Sequence, residues 1–487
     1  MHTHIKKIFS DTIIYTAGNV FNRLLPFLLL PVYTYYFVPA EYGVFSLVYS
    51  FWYLIIVFYL YGMETAFQKF FIEAKTFEER KSIYSTTIIL LIITSVLFSL
   101  LIFVFSPGIA QIITGSADHI LLIRLLSVIL IIDSLSRFPL ILINSLQRSK
   151  LYSFVNSAAV VVNVASNIVM IVWMKMGIEA IFYSYLISLS VLIIIAGAVT
   201  YNFFSFKIDF KLAKSLFKFG QVFIYYGLFI MSVDLIDRFL LEYFKGKEVV
   251  GIYSASYRIG IVMNLLISGF RTAWMPFFLN LKEEADNKEI FSRVFTYFCF
   301  GGMVLFLGIS LLTDDIVKIK IYDFSILNEA YLEGLVILPY ILLAYLFFGL
   351  YTNLNIASYF KNKTRYLLIS SAAGFLSNIL LNIVLIPSYS FIGAAISTTL
   401  SYFIMFIVLY FYSQKIYKID YEWKKIFLAA IITAAVYFFN IFISHYIKIN
   451  YLCNVFLEII SVILLFILLF RTNLHNIISA FKVRANT

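Results

Sequence analysis

Apolar segments follow one another along almost the whole chain, and short polar connections separate them. Each segment holds about the 20 residues that a helix needs to cross the hydrocarbon core of a bilayer. The connections are too short to hold a soluble domain. The predicted spans are residues 12–38, 42–67, 82–105, 119–145, 152–174, 178–203, 214–244, 250–279, 291–312, 331–360, 366–386, 391–413, 426–446 and 450–470. The pattern predicts an all-α polytopic membrane protein with about 14 transmembrane helices.

Composition supports the same class and excludes others. The 487 residues are 62% hydrophobic and 13% charged, with a mean hydropathy of +0.93. Soluble globular chains are nearer half apolar and a quarter charged, which excludes a water-soluble enzyme. The two cysteines, Cys299 and Cys453, lie in apolar stretches, and the five histidines show no ligand spacing. We therefore expect no disulfide framework, no metal site and no cofactor.

The positions of lysine and arginine test the helix count. If the N-terminus is cytoplasmic and the loops alternate, the cytoplasmic loops hold 25 of these residues and the outer loops hold 6. Basic residues concentrate on the cytoplasmic side of membrane proteins. The asymmetry predicts an even number of spans with both termini cytoplasmic. It also accounts for most of the net charge of +11 without a nucleic-acid partner.

The two halves of the chain contain matching motifs. Gly43 begins Gly-Val-Phe-Ser and Gly251 begins Gly-Ile-Tyr-Ser, while residues 163–167 and 378–382 share Asn-x-x-x-Asn. The offsets equal about six helices, so the pattern predicts a parallel repeat, with chance matching among apolar helices as the alternative. The predicted domains are an N-lobe at 1–205 with helices 1–6, a C-lobe at 206–420 with helices 7–12, and 421–487 with helices 13–14 and a cytoplasmic tail.

Three motifs stand in a defined order along the chain. The central motif occupies 237–258, from Asp-Arg-Phe-Leu-Leu through a Gly/Lys turn to Glu-Val-Val-Gly-Ile-Tyr-Ser-Ala-Ser-Tyr-Arg. Glu41-Tyr-Gly-Val-Phe-Ser precedes it and Ile392-Gly-Ala-Ala-Ile-Ser-Thr-Thr follows it. Together they resemble the signatures of the polysaccharide transporter family, the lipid-linked oligosaccharide (O-antigen flippase-like) flippases. That family belongs to the multidrug/oligosaccharidyl-lipid/polysaccharide exporter superfamily.

The resemblance implies a function and partners. Members of that family move oligosaccharides linked to undecaprenyl pyrophosphate from the cytoplasmic to the outer leaflet of the bacterial inner membrane, for O-antigen, capsule or exopolysaccharide assembly. It implies a lipid-linked oligosaccharide substrate, contact with membrane lipids, and a polysaccharide polymerase and glycosyltransferases as partners. Alternating access of the two lobes is the expected mechanism. A multidrug or small-metabolite exporter is the alternative, whereas a polymerase or ligase is not expected because the chain has no large outer loop.

Six arginines fall inside the predicted spans, where an ionised side chain costs about 2.5–3.5 kcal/mol on insertion scales. They are Arg23, Arg124, Arg137, Arg238, Arg258 and Arg271. The spacing i,i+4 predicts structural ion pairs of Asp133 with Arg137 and of Asp234 with Arg238. Arg124 and Arg271 lie nearer helix ends, where a long side chain can reach water or head groups.

The remaining two arginines, Arg23 and Arg258, have no acidic residue at i±3 or i±4. A guanidinium stays charged and grips phosphate oxygens two at a time, so both are candidate ligands of the substrate pyrophosphate. An interhelical pair with Glu64, Asp133 or Asp234 is the alternative reading. Further substrate-binding candidates are Asn19 and Asn22, on the same helix face as Arg23, and Tyr257, beside Arg258.

Acidic residues inside spans are candidates for coupling transport to an ion. Those residues are Glu64, Asp133, Asp234, Asp237 and Glu458. Intramembrane acids serve either as proton or ion sites or as structural partners of buried cations. Asp237 stands next to Arg238, so both readings apply to that pair. The coupling ion, H+ or Na+, is not selected by any feature of the sequence.

Overall fold

The structure is a computed structural model that describes residues 27–280, 285–319, 325–361, 363–447 and 450–470. Within these ranges the regular structure is helical, which confirms the predicted all-α class. The helices, numbered in chain order, are α1 (Leu29–Tyr36), α2 (Pro39–Leu60), α3 (Met63–Glu73), α4 (Phe77–Val104), α5 (Ser106–Thr114), α6 (Ile120–Ser145), α7 (Ser149–Ile168), α8 (Glu179–Thr200), α9 (Phe210–Gly220), α10 (Val222–Lys245), α11 (Lys247–Asn280), α12 (Ala285–Lys318), α13 (Leu338–Phe360), α14 (Arg365–Ile416), α15 (Trp423–Tyr446) and α16 (Tyr451–Phe470). Short 3-10 helices occupy Ala117–His119, Tyr201–Phe203 and Glu329–Ile337, and a π-helical turn occupies Val169–Trp173.

Eleven helices in the described ranges are long and apolar enough to cross a membrane, or up to twelve if α9 and α10 form one span. The break between α9 and α10 bends the chain by 42°, inside the predicted span 214–244. The predicted span 42–67 is also divided, because Tyr61 and Gly62 take left-handed backbone angles between α2 and α3. The described spans therefore support a polytopic fold, and the prediction of about 14 helices is approximate.

α14 joins two predicted spans, 366–386 and 391–413, in 52 residues. At about 1.5 Å per residue a straight helix of that length would far exceed the ~30 Å hydrocarbon core. Ser390 interrupts it with a φ of 51° and a ψ of −134°, and Pro387 precedes the break. A Cβ added at Gly393 would lie 2.5 Å from the Leu385 carbonyl oxygen, so the turn is tight. The two arms of α14 thus correspond to two separate spans.

Local sequence explains where several helices begin. Pro39 lies at the start of α2, where its missing N–H is not needed, and the Glu41 carboxylate accepts a hydrogen bond from the Val38 amide at 3.2 Å. At the start of α4 the Thr76 hydroxyl accepts from the Glu79 amide at 3.2 Å. These side chains satisfy amide groups that lack a partner in the first helical turn, and so they set the register of the spans.

The chain forms two compact units that do not follow chain order. The described residues of the first unit lie within Met1–Arg258, Leu327–Gly334 and Ser371–Thr398, and those of the second lie within Ile259–Ile326, Leu335–Ser370 and Thr399–Thr487. The lobes predicted at 1–205 and 206–420, with 421–487 as an addition, stay a prediction. The charged and aromatic groups described below as a candidate site belong to the first unit, whereas Glu458 belongs to the second.

Two glycines of the predicted repeat bring α2 and α11 into direct backbone contact. A Cβ added at Gly43 would overlap the carbonyl oxygen of Lys247, and one added at Gly251 would overlap that of Pro39. Small residues allow membrane helices to approach closely. The reciprocal arrangement means that neither position has room for a side chain in this conformation.

Candidate functional site

Arg258 lies on α11 and is half-buried. Its guanidinium carbon is 5.6 Å from the centroid of the Tyr33 ring, a distance at which a cation and an aromatic face attract each other. Tyr42, Tyr49 and Tyr185 also lie near the guanidinium. The arginine that the central motif carries therefore lies beside a group of tyrosines.

We call the surrounding residues the tyrosine cluster, defined as Tyr33, Tyr42, Tyr49, Tyr53 and Tyr185. The Tyr49 centroid lies 4.6 Å from that of Tyr53 and 6.3 Å from that of Tyr185. Tyr33 and Tyr42 are buried, Tyr49 and Tyr185 are half-buried, and Tyr53 is 36% exposed. The cluster thus has a buried floor beside Arg258 and a rim of three accessible rings.

Helix periodicity explains why α2 supplies three of these rings. Tyr42, Tyr49 and Tyr53 are separated by seven and four residues, which places them on one helix face. This spacing is present in the sequence, but it does not stand out there because tyrosine is abundant along the whole chain. Tyr185, from α8, has no such signal, and only the packing of α8 against α2 brings it to the cluster.

The floor of the tyrosine cluster is fixed by an asparagine pair. The Tyr33 hydroxyl donates to the Asn167 side-chain oxygen at 2.9 Å, and the Asn167 amide donates to the Asn163 carbonyl oxygen at 2.8 Å. Asn163 and Asn167 are 6% and 0% exposed. Because both buried groups lie in apolar surroundings, these hydrogen bonds hold the Tyr33 ring in place beside Arg258.

A second charged group, the Arg137 cluster, consists of Arg137, Asp133, Glu64 and Trp52. Arg137 contacts Asp133 at 3.1 Å and Glu64 at 3.4 Å, and the Trp52 indole donates to Asp133 at 2.9 Å. The structure therefore has the i,i+4 ion pair that the spacing predicts, with Glu64 as a second carboxylate. The Trp52 centroid lies 4.9 Å from that of Tyr185, which joins this cluster to the tyrosine cluster.

A third group surrounds Arg238. Arg238 forms an ion pair with the adjacent Asp237 at 2.9 Å, and the pair with the Asp234 carboxylate that the i,i+4 spacing predicts stays a prediction. The guanidinium also donates to the Asp234 backbone carbonyl oxygen. The Tyr253 hydroxyl donates to Asp237, and the Asp234 carboxylate accepts from Tyr257 at 2.9 Å. Asp237 is fully buried, and a buried carboxylate requires a close cation.

Tyr257, predicted to bind substrate, is 2% exposed, and its ring centroid lies 4.5 Å from the Arg238 guanidinium carbon. Tyr257 thus lies within the Arg238 group, and its role in substrate binding stays a prediction. Arg23, Asn19 and Asn22 lie outside the described residues. Arg124 is exposed, 5.0 Å from the Phe103 ring.

The acidic residues predicted to couple transport to an ion lie in three places. Glu458 is 6% exposed and accepts a hydrogen bond from Asn454 at 2.9 Å. Glu64 and Asp133 contact Arg137, and Asp234 and Asp237 belong to the Arg238 group. In the part of the chain that the structure describes, no three His, Cys, Asp or Glu side chains group as metal ligands. The identity of a coupling ion stays a prediction.

Comparison with known proteins supports the interpretation of this architecture. The model of the family described as "Polysaccharide biosynthesis protein" matches residues 8–282. A capsular polysaccharide biosynthesis protein of Staphylococcus aureus, CapF, is 25% identical over 192 residues, which cover 37% of this chain. The match spans 45% of that relative, less than half of its length.

Solved structures share the fold. The lipid II flippase MurJ in an inward closed conformation has a TM-score of 0.70 at 16% identity, covering 97% of this chain and 99% of that one. An inward-facing multidrug resistance MATE transporter of the MOP superfamily has a TM-score of 0.64 at 12% identity, covering 84% and 99%. At these identities the likeness shows the fold alone. With the family model matching more than half of the sequence, the chain belongs to the polysaccharide biosynthesis protein family, as its motifs indicated.

Proposed function

We propose that this multi-pass membrane protein is a flippase. It would move an oligosaccharide linked to undecaprenyl pyrophosphate from the cytoplasmic to the outer leaflet, for O-antigen, capsule or exopolysaccharide assembly. Family membership and the fold shared with a lipid II flippase support membrane transport in polysaccharide biosynthesis. The narrower claim, a pyrophosphate-linked substrate, rests on Arg258.

The proposal rests mainly on the position of Arg258. Its guanidinium stays charged at every physiological pH, lies 5.6 Å from the Tyr33 ring and is only half-buried. Charged side chains inside membrane spans commonly mark a substrate pathway, and this one keeps part of its surface accessible. A pyrophosphate supplies such oxygens in the geometry that a guanidinium binds bidentately. Arg23, Asn19 and Asn22 join this proposal on the sequence pattern alone.

The proposed transport step is alternating access of the two predicted lobes, 1–205 and 206–420. Gly43 belongs to one predicted lobe and Gly251 to the other, and their backbone contact supports a closed gate at that point. Opening would separate α2 from α11 without any covalent chemistry. The driving ion is proposed as H+ or Na+, with the acids of the Arg137 cluster as candidate sites.

The alternative is a multidrug or small-metabolite exporter, and one observation favours it. The Arg137 cluster contains two carboxylates and one guanidinium, so its formal charge is −1, and Glu64 keeps 39% of its side chain exposed. A net negative cluster suits a cationic drug. Export assays with both substrate types separate the two functions.

We further propose that the protein resides in the bacterial inner membrane with both termini in the cytoplasm. In that setting glycosyltransferases would supply the lipid-linked oligosaccharide and a polysaccharide polymerase would consume it after translocation. The family membership supports these partners because it concerns polysaccharide biosynthesis.

The test uses a strain that lacks its own copy of the gene and scores surface glycan at matched protein abundance in the membrane. We expect Arg258→Ala to abolish surface glycan and Arg258→Lys to restore only part of it, since an ammonium lacks the bidentate fork. Arg124→Ala is the matched control, because Arg124 also lies against an aromatic ring but is exposed.

Three outcomes oppose the proposal. Full glycan export by Arg258→Ala would remove Arg258 from the substrate site. Loss of the Arg258→Ala protein from the membrane would point to a structural ion pair instead. Drug resistance conferred by the wild-type protein, with no restored glycan, would favour the exporter.

A further inference from the structure

The rim of the tyrosine cluster differs from ordinary aromatic packing in the membrane. Tyr49, Tyr53 and Tyr185 each keep part of their surface accessible, and the Tyr49 centroid lies 4.6 Å from that of Tyr53 and 6.3 Å from that of Tyr185. Arg258 lies against the Tyr33 ring of the same cluster, and Trp52, which meets the Tyr185 ring, donates a hydrogen bond to Asp133 of the Arg137 cluster. The rim therefore adjoins two charged groups of the first unit.

From this geometry we infer that Tyr49, Tyr53 and Tyr185 form a sugar-binding subsite, which holds the first sugar of the substrate next to the pyrophosphate bound at Arg258. The inference rests on the proposed function and specifies which part of the substrate each group contacts. A sugar ring has apolar C–H faces and a hydroxyl edge. A tyrosine matches both, because its ring is apolar and its hydroxyl can donate or accept a hydrogen bond.

The three rings adjoin one another closely enough for one sugar to contact more than one of them. The Tyr49 centroid lies within 6.3 Å of both other centroids. The Tyr49 and Tyr53 rings are tilted by 39°, and those of Tyr49 and Tyr185 are also tilted by 39°. The three rings therefore do not form a flat stack.

Neighbouring groups hold this surface rigid. The Tyr185 ring meets the Trp52 ring edge-on, at an interplanar angle of 85°, and the indole is hydrogen-bonded to Asp133. Trp52 is 4% exposed, so it supports the subsite from behind without contacting the sugar itself. Rigid aromatic side chains bind with little loss of conformational entropy, which suits recognition of a small rigid ring.

The test measures binding of two probes to the purified full chain in nanodiscs: undecaprenyl pyrophosphate, and the same lipid bearing one N-acetylglucosamine. We expect Tyr185→Leu and Tyr49→Leu to weaken binding of the glycosylated probe at least tenfold and that of the bare lipid less than twofold. Tyr185→Phe, which keeps the ring, should lose less than threefold. Tyr225→Leu is the control, because Tyr225 is exposed in the same unit and outside the cluster.

The outcomes separate this inference from the proposed function. Arg258→Ala should weaken binding of both probes, and if it weakens neither, the proposed pyrophosphate site fails. If the leucine variants weaken both probes equally, or neither, while Arg258→Ala weakens both, the sugar subsite alone is overturned. If wild-type protein binds neither probe, both ideas fail. A lower melting temperature of Tyr185→Leu, but not of Tyr185→Phe, together with equal losses for both probes, would identify a purely structural ring.

Discussion

Replacing Gly251 with alanine tests whether the contact between α2 and α11 is a gate. The added Cβ would overlap the Pro39 carbonyl oxygen, which is backbone and cannot rotate away. The two helices must separate by about 1.5 Å to restore van der Waals distances. Overpacking of this kind typically costs about 1–3 kcal/mol. If that penalty falls on the closed arrangement alone, the equilibrium shifts roughly 5- to 150-fold toward the open one.

The assay follows the reactivity of a cysteine placed behind the contact. Ser254 lies one helical turn beyond Gly251 and is 6% exposed, so a cysteine at that position should react with a maleimide only when the helices separate. The background carries Cys453→Ser, because Cys453 is exposed whereas Cys299 is buried. In the Ser254→Cys protein, adding Gly251→Ala should raise the labelling rate by the same 5- to 150-fold.

Gly269→Ala on the same helix is the matched control, since nothing lies within 4 Å of the Cβ that it adds. Its labelling rate should equal that of the parent. Equal rates in the parent and in Gly251→Ala would refute the gate. A comparable acceleration by Gly269→Ala would show that alanine acts through helix stability instead of through the contact.

Two further predictions follow from topology and charge burial. A reporter that is active only outside the cytoplasm, fused to Thr487, should give no signal, because the unequal distribution of lysine and arginine between the loops predicts a cytoplasmic C-terminus. A strong signal would mean that the predicted helix number is wrong by an odd count. Asp237→Ala should lower the free energy of unfolding by about 3–5 kcal/mol, because it removes the carboxylate that pairs with the buried Arg238 charge. Adding Arg238→Ala should recover much of the loss, and thermal melts in detergent measure both variants. A double variant no more stable than Asp237→Ala would contradict the ion pair.

Periodicity and hydropathy were sufficient to predict the class of fold and most of the spans, because every helix in a bilayer must satisfy its own backbone. The break at Ser390 falls in the predicted gap between spans 366–386 and 391–413. The break at Tyr61 and Gly62, inside the predicted span 42–67, was not predicted, since tyrosine rarely takes the positive φ that it has there. Such angles are imposed by tertiary packing, which a local pattern does not contain.

The candidate site was likewise predictable only in part. Arg258 stands out in the sequence because it lacks a local acid, and Arg137 because it has one. The second carboxylate at Arg137 comes from Glu64, 73 residues away, and the ring at Tyr185 comes from another helix. Arg238 illustrates a different difficulty, since its ion pair with the adjacent Asp237 depends on the burial of that carboxylate, which the sequence does not show.

The asparagine pairs of the predicted repeat bear on how the two halves diverged. In each pair the second amide donates to the first side-chain oxygen, at 3.4 Å from Asn167 to Asn163 and at 3.0 Å from Asn382 to Asn378. The oxygen of Asn167 is bound by Tyr33, whereas that of Asn382 has no hydrogen-bond partner among the described residues. If both pairs descend from one duplicated ancestor, the two copies have come to differ at this buried acceptor. Within the described residues, the first half satisfies it with a tyrosine hydroxyl and the second half leaves it open.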